Sequence, residues 1–295
     1  MLLGIDVSHY SGTRDWRGLA QAGIGFAFIK ATEGSTVRDD LFAHHWRGMH
    51  DAGVPCGAYH YAHPGSNPAT QAAHFHGVVG DLGPNDLQPV LDLEVGDGHP
   101  ATQVVDWVLT FMAKAESLFG ARLIIYTGGF WRNQLGNPPC PGLSARKLWT
   151  ARYGGRPVLP APWEKWSIWQ FSDGIHRAPP EAAALKCNCD WNRLAEGLDL
   201  KDLTVAANPV RKSDGVGQPQ GTWPGRFFAF PATPQISGAD VRQWQAQMRA
   251  RGWSLEPDGD YGPASRTACI SLQREEGLEP DGIVGPKTWA ATFAS

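Results

Sequence analysis

Eight short, β-rich apolar runs recur through the first 200 or so residues, with helical or polar stretches between them. They are Leu2–Val7, Ile24–Lys30, Val54–Ala62, Pro89–Val95, Arg122–Thr127, Lys147–Arg152, Ser167–Phe171 and Leu185–Asp190. Helical patterns fall between several of these runs, notably Asp39–Ala52, Pro68–Gly80 and Ala101–Phe119. Strands alternating with helices predict parallel β/α units, and eight of them predict closure into a barrel. Connections in the second half are too short for a helix after every strand. The expected fold is therefore α/β: an irregular eight-stranded (β/α) TIM-like barrel with fewer than eight helices.

After the barrel, residues 208–235 hold five prolines and four glycines without sustained periodicity, which reads as a linker. Its WPGRFFAFP run is too hydrophobic for a freely solvated spacer and is expected to dock on a domain. Residues 236–295 carry a short repeat, LEPDGDYGP at 255–263 and LEPDGIVGP at 278–286. Pro-Asp-Gly is turn chemistry, and the closing Gly-Pro suits the first turn of a following helix. With the helical spacing of Val241, Trp244 and Met248, this predicts a small three-helix domain. The expected division is thus 1–207 barrel, 208–235 linker and 236–295 helical domain.

The 26 basic and 29 acidic residues leave a net charge of −3, with no basic cluster, which excludes nucleic acid as the expected partner. No apolar run reaches the ~20 residues of a membrane span, so no membrane insertion is expected. MLLGIDVSHYSG lacks a charged n-region and its apolar stretch breaks at Asp6, so no secretory signal is read there. Cys56, Cys140, Cys187, Cys189 and Cys269 follow no framework spacing. On a strand, Cys187 and Cys189 would share a face too tightly for a relaxed bridge. All five are expected to be reduced, structural thiols. No metal-ligand spacing occurs, and His60 and His63 are read as structural.

Barrel enzymes carry their chemistry at the C-terminal ends of the strands. Asp6, Asp92, Glu94 and Asp190 fall there. Alternation along a strand points Asp92 and Glu94 to one side, inward, while Leu91, Leu93 and Val95 face the helices. Two carboxyl groups on one inward face are costly, because each ionised neighbour disfavours the other. The same repulsion keeps one of them protonated near neutrality, as a general acid requires. Glycoside hydrolysis is the reaction class that most directly uses paired carboxylates, and it needs no cofactor. The i, i+2 spacing does not decide between a direct nucleophile and another mechanism. Tyr59, Tyr61, Tyr126, Trp149 and Trp169 lie near strand ends as core or as sugar-stacking groups.

GIDVSHYSG, FIKATEG, GAYHYAHP, VLDLE, IIYTGGFW, LWTARY, IWQFSDG and CDWN stand in the order seen in family 25 glycoside hydrolases, the Chalaropsis-type lysozymes. Residues 4 to about 200 resemble that family. WQAQMRARGW, DGDYGPASRTACISLQ and DGIVGPKTW resemble the three-helix peptidoglycan-binding domain. The resemblance implies an N-acetylmuramidase that cleaves the β-1,4 bond between N-acetylmuramic acid and N-acetylglucosamine in cell-wall peptidoglycan. It implies Glu94 as general acid/base and Asp92 as support for a substrate-assisted step, in which the 2-acetamido oxygen attacks the anomeric carbon. It makes Asp6 and Asp190 further active-site acids and Tyr59 a substrate contact. Lys30, Tyr61, Tyr126, Trp149 and Gln170 complete the expected substrate-binding set. A Cys and a Trp beside Asp190, in CDWN, depart from the usual Val-Asp start.

A monomeric bacteriophage endolysin is expected, made in the host cytoplasm and released through a membrane lesion made by another protein, a holin. A secreted autolysin of the same activity and a catalytically silent wall-binding protein are the alternatives.

Overall fold

In a computed structural model the described residues are 2–12, 14–140, 142–175, 189–210, 223–232 and 235–294. The chain forms two compact units, Met1–Lys212 and Ser213–Ser295.

The larger unit is a closed barrel. Its strands are β1 (Leu3–Val7), β2 (Phe26–Glu33), β4 (Cys56–Tyr61), β5 (Val90–Asp92), β6 (Ile124–Tyr126), β7 (Lys147–Ala151), β8 (Ile168–Ser172) and β9 (Asp190–Leu194), with the two-residue β3 (Val37–Arg38) paired to β2. Strands β1, β2 and β4 to β8 run parallel, and β9 closes the ring antiparallel to both β8 and β1. Among the described residues, four α-helices accompany it: α1 (Trp16–Gln21), α2 (Phe42–Ala52), α3 (Pro68–Val79) and α4 (Ala101–Phe119). β6 and β7 are joined instead by a π-helical turn, Phe130–Gln134, and a 3-10 turn, Leu143–Ala145.

Two apolar layers follow from strand alternation. Ile5, Ala27, Ile29, Ala58, Leu91, Ile125, Leu148 and Trp191 point outward and are covered by helix residues such as Val104, Val108 and Phe111. Phe26, Phe28, Val90, Ile124, Tyr126, Trp149, Ile168 and Leu194 point inward and fill the barrel. Glycines make room for the two interior phenylalanines: a Cβ on Gly4 would lie 2.5 Å from the Phe26 ring, and one on Gly57 2.6 Å from Phe28. The barrel interior is thus a packed core.

The structure departs from the sequence pattern at the last strand and at Cys189. The expected last strand, Leu185–Asp190, lies outside the described residues except for its end, and Asp190 opens β9 rather than closing a strand. Because β9 runs antiparallel, its start lies at the same mouth as the ends of the parallel strands. Cys189 is disulfide-bonded, so the cysteines are not all reduced. The objection to a bridge assumed a strand through Cys187 and Cys189, but Cys189 lies in a bend before β9 and its bonding partner lies outside the described residues. Cys56, Cys140 and Cys269 are buried free thiols.

The smaller unit packs α5 (Ala239–Ala250), α6 (Pro263–Glu275) and α7 (Pro286–Phe293) around Trp244, Tyr261, Leu272 and Trp289. Its internal repeat has a mechanical basis. The Gln245 amide donates to Asp258 Oδ1 (2.8 Å), Asp260 O (3.0 Å) and Ser265 Oγ (3.1 Å), and one turn later Gln273 donates to Asp281 Oδ1 (2.7 Å), Ile283 O (3.0 Å) and Thr288 Oγ1 (3.1 Å). Each glutamine also accepts from the turn glycine, Gly259 or Gly282. Those glycines have φ of 88° and 74°, the left-handed region that disfavours other residues. The aromatic run belongs to this unit: Phe228 is fully buried, exchanges backbone hydrogen bonds with Val284 and packs on Trp289 and Tyr261. Upstream, Asn208 and Val210 bond to the barrel through Arg122 and Gly120.

Candidate active site

Strand register brings the acids together. Asp6 on β1 lies level with Asp190 on β9. Asp92 at the end of β5 lies level with Tyr61 on β4 and Tyr126 on β6. Glu94, two residues on, keeps the same inward side and is the exposed member of the four. All ten residues expected at the site (Asp6, Lys30, Tyr59, Tyr61, Asp92, Glu94, Tyr126, Trp149, Gln170 and Asp190) line one cavity of about 280 Å³, joined by Ser8, Tyr10 and Tyr153. Trp169 faces the other way, with its indole N–H donating to Arg152 O.

A polar network holds the floor of the cavity. Asp6 Oδ2 accepts from Asn192 Nδ2 (2.7 Å) and Gln170 Nε2 (3.0 Å). Gln170 Oε1 accepts from the Tyr126 and Tyr153 hydroxyls, at 3.0 and 3.1 Å, and Asn192 Oδ1 accepts from Trp149 Nε1 at 2.8 Å. Each amide is thus oriented by one partner and presents its other end to a neighbour. Asn192 was not singled out in the sequence; its i, i+2 relation to Asp190 was the available signal. At the rim, Lys30 Nζ donates to Glu33 Oε2 (2.5 Å), and His63 bridges Glu33 Oε1 (3.1 Å) and Asp97 Oδ1 (3.3 Å). Lys30 also lies 5.1 Å from the centre of the Tyr61 ring.

All four acids are held above the usual carboxylate range, in two neighbouring pairs. Burial pushes the Asp6 carboxyl up to about 6, against the hydrogen bonds from Asn192, Gln170 and Asp190 that pull it down. Burial, and then the charges of Asp6, Asp173 and Glu94, push Asp190 up to about 8. Asp92 is raised well above the usual carboxylate range by burial first, then by Glu94 and Asp6, with Lys30 opposing. Glu94 is raised by burial and by Asp6, while Asp92 and Lys30 oppose. The Asp92 and Glu94 carboxyls are neighbours that interact, so their titrations are linked and belong to the pair. Asp92 Oδ1 is buried without a hydrogen-bond partner.

Raised carboxyls cost stability at higher pH. Between about pH 4 and about pH 8 the folded state keeps protons on Asp190 and Asp6 that the unfolded state has released, so stability falls as pH rises through that window. Asp190→Asn is expected to flatten the slope, gaining on the order of 1–3 kcal/mol at the alkaline end. Thermal melts of both proteins across this range check it, and parallel curves would contradict it.

His60 faces the helices, held by Thr32 Oγ1 (2.8 Å) and Gln71 Oε1 (2.9 Å), and burial lowers it to about 3. The group of metal-type ligand atoms among the described residues is His50, Cys56 and Asp86, at the far end of the barrel. His50 there is satisfied by Asp86 Oδ1 (2.9 Å) and Trp46 O (2.8 Å). Among the described residues no helix is long and apolar enough to cross a membrane.

A pair of carboxyls at a barrel mouth, each held above its usual range and lined with aromatics, defines an acid/base site suited to a sugar substrate. Residues 5–177 match the model of Glycosyl hydrolases family 25, and the chain belongs to that family. Residues 237–291 match the Putative peptidoglycan binding domain. Lysozyme M1 of Streptomyces globisporus is 33% identical over 180 residues, 57% of this chain and 61% of that protein, so this chain spans less than two thirds of its length. The Autolytic lysozyme of Clostridium acetobutylicum is 27% identical over 292 residues, 98% of this chain and 78% of that one. Among solved structures, the bacterial lysozyme from Streptomyces coelicolor is 30% identical with a TM-score of 0.63, covering 70% of this chain and 98% of that one.

Proposed function

We propose that this chain is an N-acetylmuramidase that hydrolyses the β-1,4 bond between N-acetylmuramic acid and N-acetylglucosamine in peptidoglycan. The observation that carries the reading is the Asp92–Glu94 carboxyl pair, lining one cavity at the barrel mouth together with Asp6 and Asp190. Glu94, the exposed member, gives its proton to the leaving glycosidic oxygen and later takes one from the attacking water. The 2-acetamido oxygen closes on the anomeric carbon as the glycosidic bond breaks. The partnerless Asp92 Oδ1 is an acceptor suited to the acetamido N–H during that closure. Asp6 and Asp190, both raised above the usual carboxylate range, share the cavity and, with Asn192 and Gln170, fix its electrostatics. The similarity to proteins named lysozyme supports the substrate class.

The smaller unit serves as the wall anchor, a role supported by the model match over residues 237–291. Residues 1–212 alone, with their own core, are expected to cleave soluble glycan fragments while pelleting with purified walls far less than the full chain does. Undiminished pelleting would overturn the anchoring role.

We further propose an endolysin-type role, with the protein made in the cytoplasm and reaching the wall through a lesion. The match to the autolytic lysozyme over nearly the whole chain favours a second reading, a secreted autolysin. Expression in a bacterium with and without a membrane-permeabilising protein separates them. Lysis only with the lesion supports the endolysin role, and lysis without it supports secretion.

A further inference from the structure

The cavity of about 280 Å³ lies at the lower edge of the ~300–1,000 Å³ typical of small-molecule pockets, so it takes the reacting sugar and leaves the rest of a glycan to cross the rim. The rim carries an unusual side chain. Tyr10 is 86% exposed, the most exposed large hydrophobic residue among those described, yet it lines the cavity that holds the acids.

Single exposed aromatics are ordinary on protein surfaces, and what sets Tyr10 apart is how firmly it is held. It sits in the 3-10 turn His9–Ser11, directly after the strand that carries Asp6. Ser8 Oγ accepts from the Tyr10 amide (3.3 Å), and Ser11 Oγ accepts from the Ser8 amide (3.3 Å), closing a capping box. The adjacent His9 gives both its amide (3.0 Å) and Nδ1 (2.7 Å) to Asp39 Oδ2, and the Asp39 side chain is fully buried. The His9 ring backs the Tyr10 ring at 3.9 Å between centroids, tilted by 40°. An exposed ring whose backbone and backing are already ordered loses little freedom when a ligand covers it. A flat apolar ring of this kind complements the C–H face of a pyranose.

We propose that Tyr10 forms a distal sugar-binding subsite, stacking on a unit of the β-1,4 glycan beyond the one held in the cavity. The proposal rests on the muramidase reading for its substrate class. Tyr10 then selects for chain length and leaves bond cleavage to the acids.

The test compares the full-length wild type with Tyr10→Ala and Tyr10→Phe on peptide-free soluble peptidoglycan glycans, one holding only the two sugars joined by the scissile bond and one longer. Tyr10→Ala is expected to raise KM for the longer fragment about tenfold more than for the short one, the equivalent of one stacking contact. Tyr10→Phe, which keeps the ring, restores the wild-type length preference. Equal losses on both fragments, or no loss on either, would overturn the subsite. Wild type that cleaves neither fragment would sink the muramidase reading instead. The subsite is then judged by calorimetry on the longer fragment, where wild type must still bind more tightly than Tyr10→Ala.

Discussion

Glu94→Gln is expected to lower the rate of glycan cleavage about 10²–10⁴-fold, the range that one positioned proton donor contributes. The amide has the size of the carboxyl but cannot give a proton to the leaving oxygen or take one from water. Glu94 is exposed at the mouth, so the fold does not depend on it. Removing a carboxyl already held above its usual range also relieves Asp92 of the like charge that raises it most. The variant should therefore keep its melting temperature and still pellet with walls. Lysis at the wild-type rate would remove Glu94 from its role.

The second large effect concerns stability. Glu116, near the end of α4, is buried and accepts Arg146 Nε (2.9 Å) and Nη2 (2.6 Å) in a bidentate pair, and also the Leu123 amide (3.1 Å) at the entry to β6. The pair ties a helix to the segment between β6 and β7, where no α-helix braces the barrel among the described residues. Arg146→Ala leaves a buried carboxylate with one amide donor, and such breaks cost about 3–5 kcal/mol. For a unit of this size that lowers the melting temperature by roughly 10 °C. Replacing both partners, Glu116→Gln with Arg146→Met, should cost clearly less than Arg146→Ala alone, because no unpaired charge remains. Equal losses would show that the arginine acts through packing rather than charge.

Much of this was legible in the chain because alternation carries its own geometry. In PVLDLEV the leucines must face helices if the carboxyls face the barrel, and the structure places Leu91 and Leu93 in the outer core while Asp92 and Glu94 line the cavity. The helices were readable for the same reason, α4 spanning Ala101–Phe119 as its periodicity requires. What escaped was information that strand pattern does not hold. A strand reads alike in both directions, so Asp190 was placed at the wrong end of its strand although at the correct mouth. Asn192, Tyr153 and Tyr10 matter through partners 17 to 186 residues away or through exposure, and neither shows in local spacing. The aromatic run within the Pro- and Gly-rich stretch was legible as a docking segment, but not the domain it joins, because its partner, Val284, lies far along the chain.

On the function proposed here, the carboxyls at this barrel mouth cut the glycan on the muramic acid side. Digesting purified peptidoglycan, reducing the products with borohydride and reading them by mass spectrometry tests it directly. New reducing ends on N-acetylmuramic acid, abolished by Glu94→Gln, are the expected result. New ends on N-acetylglucosamine, or walls that bind the protein and stay uncut, would contradict it.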